Sequence, residues 1–218
     1  MKILALTDIH GAYDTAASIL ERVAPDVLVV GGDLTTIGSV AEAEAALTRF
    51  RSLVPVLYCV AGNMDLPAHD DLFVRMEVSL NGRGVRLGDV GLCGASGAPH
   101  STLRTPHERS EDEIERALRA GHAALSGCRT VIFVPHAPPF GTRVDILHSG
   151  IHVGSSGVRE AIEDLAPDLV LCGHIHEARG EDRIGATRIV NCGPAMKGSY
   201  AVVEVGEEIL VGLHRLPL

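Results

Sequence analysis

Leu6-Thr7-Asp8-Ile9-His10-Gly11 closes the first apolar run of the chain, and the rest of the sequence reads outward from it. Lys2 to Leu6 is short, aliphatic and close to the N-terminus, which predicts a buried β-strand. Beyond it the chain turns polar, with Asp8 and His10 two residues apart. If the strand continues through them, its pleat places both side chains on one side, at the carboxyl end. In open α/β sheets ligands bind at that edge. A carboxylate and an imidazole aimed at one point are half of a metal site.

The same pattern returns further along. Ala12 to Val23 carries Ala16, Ile19, Leu20 and Val23 at helical spacing. Val27 to Val30 is a second strand and ends in Gly31-Gly32-Asp33. An Ala- and Glu-rich helix spans Val40 to Arg51, and a third strand, Val54 to Val60, runs into Ala61-Gly62-Asn63-Met64-Asp65. Strand, helix, strand, helix, strand favours parallel pairing through right-handed crossovers. From Glu77 to Cys93 short apolar segments alternate with Gly-containing turns, the signature of antiparallel hairpins. Ala95 to His107 reads as loop and Glu108 to Leu125 as a charged helix. Thr130 to Val134 predicts a strand ending at Pro135-His136. A Gly-rich passage, Phe140 to Ser156, precedes a helix at Gly157 to Leu165. Leu169 to Cys172 predicts a strand ending in Gly173-His174-Ile175-His176. The tail, Ile184 to Leu213, alternates strand-like runs with turns and fits a second, antiparallel sheet.

Composition limits the class. A chain of 218 residues can bury a core without staples, and 46% hydrophobic against 22% charged residues is the profile of a folded globular protein. The formal charge of −9 and 3% aromatic content, without Trp, argue against stable nucleic-acid binding. Cys59, Cys93, Cys128, Cys172 and Cys192 form no C-x-x-C pair, as expected of reduced thiols in a cytoplasmic protein. Neither a signal peptide nor an apolar stretch of membrane-spanning length is read, so no membrane partner is expected. Nothing in the sequence specifies an oligomeric state.

Five predicted strand ends thus carry metal-competent side chains: Asp8 with His10, Asp33, Asn63, His136, and His174 with His176. The set lacks thiolates and suits Mn²⁺, Fe, Zn²⁺, Co²⁺ or Ni²⁺, with manganese placed first. Seven ligands exceed what one catalytic ion with open positions needs, and they suffice for two ions sharing a carboxylate. In these blocks, Asp8-Ile9-His10, Gly32-Asp33, Gly62-Asn63-Met64-Asp65, His136 and Gly173-His174-Ile175-His176, the chain resembles the calcineurin-like metallophosphoesterases. Its passages His136 to Arg159 and Gly173 to Gly198 are most similar to the small prokaryotic, Icc-related branch.

No long linker, low-complexity tract or internal repeat interrupts the chain, so one domain is expected over residues 1–218, and the resemblance implies an α/β fold, a four-layer α/β/β/α sandwich with two central mixed sheets. It implies two divalent transition-metal ions: one held by Asp8, His10 and His176, the other by Asn63, His136 and His174, with Asp33 bridging. It also implies hydrolysis of a small phosphoester, the cations clamping phosphoryl oxygens and lowering the pKa of a bound water until hydroxide forms. One departure matters. Most of the family has a histidine after the Asn, assigned to the leaving group or transition state, and here that residue is Met64, which has no proton to give. General-acid help is typically worth about 10²–10⁴-fold on poor leaving groups. Its absence tilts the expectation toward phosphodiesters over alkyl monoesters, leaves Asp65 without its usual object, and makes Met64 a candidate pocket wall.

His148 and His152 lie in the Gly-rich passage, a long loop of the kind that serves as a lid. His152 is the preferred replacement acid and substrate contact, because the glycines near it would allow close approach to phosphate. His69, His100, His107, His122 and His214 are read as surface or loop residues. The competing reading is a metal-binding scaffold or interaction protein with catalysis weakened or lost; a phosphoprotein phosphatase ranks last.

Overall fold

The structure is a computed structural model and describes residues 1–217. Strands β1 (Lys2–Leu6), β2 (Val27–Gly31) and β3 (Val56–Val60) alternate with helices α1 (Tyr13–Val23), α2 (Val40–Arg51) and α3 (Ala68–Arg75). Next come β4 (Val85–Leu87), β5 (Val90–Ala95), the two-residue strands β6 (Ala98–Pro99) and β7 (Glu108–Arg109), and α4 (Glu111–Ala123). β8 (Thr130–Pro135), α5 (Ser156–Leu165) and β9 (Leu169–Cys172) precede β10 (Gly180–Ile184), β11 (Thr187–Asn191), β12 (Ser199–Val205) and β13 (Ile209–Arg215).

Two mixed sheets result. The first has the order β13-β12-β1-β2-β3 and the second β10-β11-β9-β8-β5-β4. β1, β2 and β3 are parallel, as the alternation of strand and helix predicts. Side-chain alternation along each strand then builds the layers. Leu4, Leu6, Leu28 and Val30 pack against Ile19, Leu20, Leu47 and Phe50 of the outer helices. Ile3, Ala5, Val27 and Val29 face the other way, onto Val134, Leu171 and Val190 of the second sheet. That sheet turns Phe133, Val170 and Ile189 outward onto Ile114, Leu118, Val158 and Ile162 of α4 and α5. The order is therefore helices, sheet, sheet, helices.

Four expectations change. The tail does not form a sheet of its own. β11 joins the second sheet parallel to β9, with β10 antiparallel beside it, whereas β12 extends the first sheet antiparallel to β1 and β13 lies antiparallel to β12. Alternation shows that a segment is a strand but not which edge it finds. The hairpin reading holds for β4 and β5, yet β5 then pairs in parallel with β8. Helix α3 is absent from the sequence reading, because only His69, Leu72 and Phe73 mark its buried stripe over eight residues. The charged helix begins later than predicted, at Glu111, where Ser110 and Glu113 form a reciprocal capping box.

Candidate metal centre at the carboxyl ends of both sheets

β1, β2, β3, β8 and β9 all end at one edge of the sandwich, where the chain turns sharply. Asp8, His10, Asp33 and His174 have φ of 54°, 48°, 49° and 65°. Left-handed conformations in residues other than glycine cost on the order of 1–3 kcal/mol each and cluster at functional sites. They also correct the pleat argument. β1 ends at Leu6, and Asp8 and His10 come together through two left-handed turns rather than through strand alternation. A short ladder fixes those turns: Asp8 N donates to Gly32 O, His10 N to Asp33 O and Gly11 N to Leu34 O. Asp33 is thereby brought beside Asp8 and His10.

Glycines lock the site by close approach. A Cβ on Gly32 would lie 2.3 Å from His136 Nδ1, one on Gly62 2.1 Å from Asp33 Oδ1, and one on Gly173 2.3 Å from Asp8 Oδ2. Each glycine precedes one candidate ligand and makes room for another. Only Gly32 also needs its positive φ; at Gly62 and Gly173 the requirement is space rather than the sharp turn that flanking glycines suggest.

The convergence is specific in its donor types. Asp8, His10 and His176 form one group whose ligand atoms lie within 4.8 Å of one another, and Asp8, Asp33 and His136 form another. His176 Nε2 is 3.2 Å from Asp8 Oδ1, and His10 Nε2 is 3.5 Å from Asp33 Oδ2. His136 Nδ1 lies 2.9 Å from the Gly31 carbonyl, which can only accept, so Nδ1 carries the proton. In the neutral ring Nε2 is then a bare lone pair. It faces Asn63 Oδ1 at 3.0 Å and Asp33 Oδ2 at 3.6 Å. With that ring neutral, three electron-pair donors meet at one point, a set that a cation fits, and the Nδ1–H to carbonyl bond is the usual support of a ligating histidine. His174 stands beside this group without being in either cluster: its ring centroid is 5.1 Å from that of His136, and its backbone N–H donates to Asp8.

The charges agree with this reading. Burial pushes Asp33 up to about 7, with Asp8 and Asp65 adding repulsion against the attraction of His136. Burial alone would also raise Asp8, but the His176 hydrogen bond and the His136 and His176 charges outweigh it and bring it to about 2. Desolvation, then His136, lowers His174 to about 3, leaving it a neutral ligand. The cysteines are free, and burial pushes Cys192 up to about 12 and Cys172 well above the usual thiol range, so thiolate ligation is not on offer.

Two residues hold this geometry in ways the sequence does not indicate. Asp65, far from lacking an object, accepts from Leu34 N, Thr35 N, Thr35 Oγ1 and Gly62 N at 2.8–3.1 Å. One buried carboxylate thus ties the Asp33 loop to the Asn63 loop. Asp145, also buried, accepts from the amides of Gly141, Thr142 and Gly154, and closes the passage expected to be a lid onto itself. His152 Nδ1 bonds the same carboxylate at 2.7 Å, and its ring packs against Phe140. His69 and His107 are buried, not surface residues, and His107 N donates to Asn63 O.

Asn63, His174 and His176 open onto a cavity of about 890 Å³. One wall is the segment from Ala98 to Thr105, and the other includes Phe140, Leu147, Val153 and Gly154. Val153 and Gly154 line it, whereas His152 and Met64 are not among the lining residues. Met64 acts through its backbone, its N–H donating to Asp33 Oδ1 and its carbonyl accepting from Ile37 N.

Fold and site together define a phosphoesterase of the calcineurin-like type. A model of the family described as calcineurin-like phosphoesterase matches residues 1–178, and the chain belongs to that family. It is 34% identical over 215 residues to "Uncharacterized protein MJ1162" of Methanocaldococcus jannaschii, with 97% of this chain and 95% of that protein covered. In fold it is similar to TT1561 of Thermus thermophilus, at a TM-score of 0.71 and 19% identity over 97% of both chains. A dimetal phosphatase from Danio rerio matches with a TM-score of 0.69 and 10% identity, over 99% of this chain and 96% of that one. Among the described residues no helix is long and apolar enough to cross a membrane.

Proposed function

We propose that this chain, as one domain, is a phosphodiesterase acting through two divalent cations, manganese first among them. Asp8, His10 and His176 would hold one and Asn63, His136 and His174 the other, with Asp33 between. Bound there, two cations supply charge that offsets the phosphoryl oxygens and acidifies water. The observation that carries the proposal is the close meeting of His136 Nε2, Asn63 Oδ1 and Asp33 Oδ2, with His136 Nδ1 anchored on the Gly31 carbonyl. The rest is done by the chain's own groups. The Gly31 carbonyl and Thr36 hydroxyl fix the His136 and His10 rings, and Asp65 fixes the two ligand loops against each other.

The cavity supports a diester. It offers about 890 Å³, apolar side chains from Leu103, Phe140, Leu147 and Val153, and no Lys or Arg among its lining residues. Such walls suit a monoanion with two organic substituents better than a dianion. With Mn²⁺ supplied, turnover of an aryl phosphodiester is expected to exceed that of an alkyl phosphomonoester; equal rates would remove the diester assignment. The free cysteines agree with a cytoplasmic setting. The scaffold alternative is favoured by Met64 at the place of the family histidine, and it requires bound ions without turnover.

A further inference from the structure

The missing acid directs attention to every protonable side chain on the cavity wall. These are His100, Glu111, His174, His176 and Glu177. His174 and His176 belong to the proposed metal centre. Glu111 is engaged at the N-terminus of α5, where it accepts from Ser155 Oγ and from the amides of Ser156 and Gly157. Glu177 accepts from His148 N. His100 is left, on the same cavity as Asn63 and with its side chain 69% exposed.

His100 is not a loose surface ring. Its Nδ1 lies 3.7 Å from Glu108 Oε2, and the Glu108 side chain is only 10% exposed. The other oxygen of that carboxylate, Oε1, accepts from Ser101 Oγ, Thr105 N and Thr105 Oγ1, so Glu108 organises the segment that carries His100. The Ser101 and Thr105 hydrogen bonds hold Glu108 down to about 2, a lasting negative charge beside the imidazole. With Nδ1 turned to Glu108, Nε2 is the nitrogen available to a substrate in the cavity.

We infer that His100 is the catalytic acid that stands in for the histidine replaced by Met64, protonating the leaving oxygen, with Glu108 as its positioning residue. The inference rests on the phosphoesterase reading above. In the step, water oxygen bonds to phosphorus and gives up one proton to solvent as the phosphorus–oxygen bond to the leaving group breaks. The departing oxygen takes the Nε2 proton and leaves as the alcohol. His100 becomes neutral and is reprotonated by solvent.

The test is a series of methyl aryl phosphates of one shape, bearing nitro, chloro, hydrogen or methoxy at the para position, with Mn²⁺-loaded protein. In wild type, kcat is expected to vary little across the series. In His100→Gln the phenyl and methoxyphenyl esters are expected to fall by about 10²-fold or more relative to the nitrophenyl ester, since an acid matters least where the leaving group is best. Glu108→Gln is expected to move the same ratio in the same direction by less, and added imidazole to restore part of the phenyl rate in His100→Ala. A merely structural role would lower all four esters together. That outcome overturns the inference, as does a ratio that moves in His152→Gln and not in His100→Gln; either leaves the phosphoesterase reading intact. Wild-type protein that binds Mn²⁺ and turns over no ester in the series overturns both.

Discussion

Gly62→Ala offers the sharpest test of how the centre is built. The added Cβ would sit 2.1 Å from Asp33 Oδ1 and 2.3 Å from Asp33 N. Neither atom can retreat cheaply. Asp33 N is main chain, and Oδ1 accepts the Met64 amide at 2.7 Å. Overpacking typically costs 1–3 kcal/mol, and with backbone as the obstacle the upper end applies, about 3 kcal/mol. For a chain of this size that is a fall in Tm of roughly 6–12 °C. Moving Asp33 also misplaces the proposed bridge, so Mn²⁺ affinity should drop about 10–100-fold, the range seen when ligand support is lost. Gly180→Ala is the control: its nearest neighbour would be Ala178 O at 3.9 Å, so stability and affinity should hold. Calorimetric melting and Mn²⁺ titration read both quantities. If the two variants melt together and bind equally, the close packing of glycine against ligand is not what shapes the site.

Other outcomes follow from the same geometry. Asp65→Ala frees four donors and uncouples the Asp33 and Asn63 loops; metal affinity should fall about 10–100-fold, measured by titration, whereas a purely peripheral Asp65 would leave it unchanged. Cation uptake should depend on pH. Asp33, near 7 without metal, and His176, which its Asp8 hydrogen bond raises, must lose protons to ligate, whereas His174, near 3, is already neutral. Below pH 7 affinity should thus fall about tenfold per unit for each protonated ligand, with proton release seen as a buffer-dependent heat at pH 6 that shrinks at pH 8. Ser110→Ala removes the capping box of α4, on the far side of the second sheet, and should cost about 1 kcal/mol in denaturant unfolding while Mn²⁺ affinity stays unchanged.

Much of this was legible in the sequence because it lies in short-range pattern. The ligand-bearing turns follow apolar strands, and the residues that cap them are neighbours in sequence, so pattern alone puts Asp8, Asp33, Asn63, His136 and His174 at one edge. What escaped depends on contacts between distant segments. Asp65 stands in a recognisable block, but nothing local shows that its four donors come from residues 34, 35 and 62. His100 looks like a loop histidine until Glu108 and the cavity are seen around it. The tail shows the same limit. β11 and β12 are equally strand-like in sequence, yet they end in different sheets, because pairing is decided by which edges β9 and β1 leave open.

Two-cation phosphodiesterase chemistry is read directly by release of nitrophenolate from bis(p-nitrophenyl) phosphate by chelated protein as Mn²⁺ is added, with bound metal counted in parallel and Asp33→Ala alongside. Turnover should rise to a plateau as two ions per chain are bound, with none above background in the variant. Two bound ions with no turnover in the wild type would contradict it and make this chain a metal-holding scaffold.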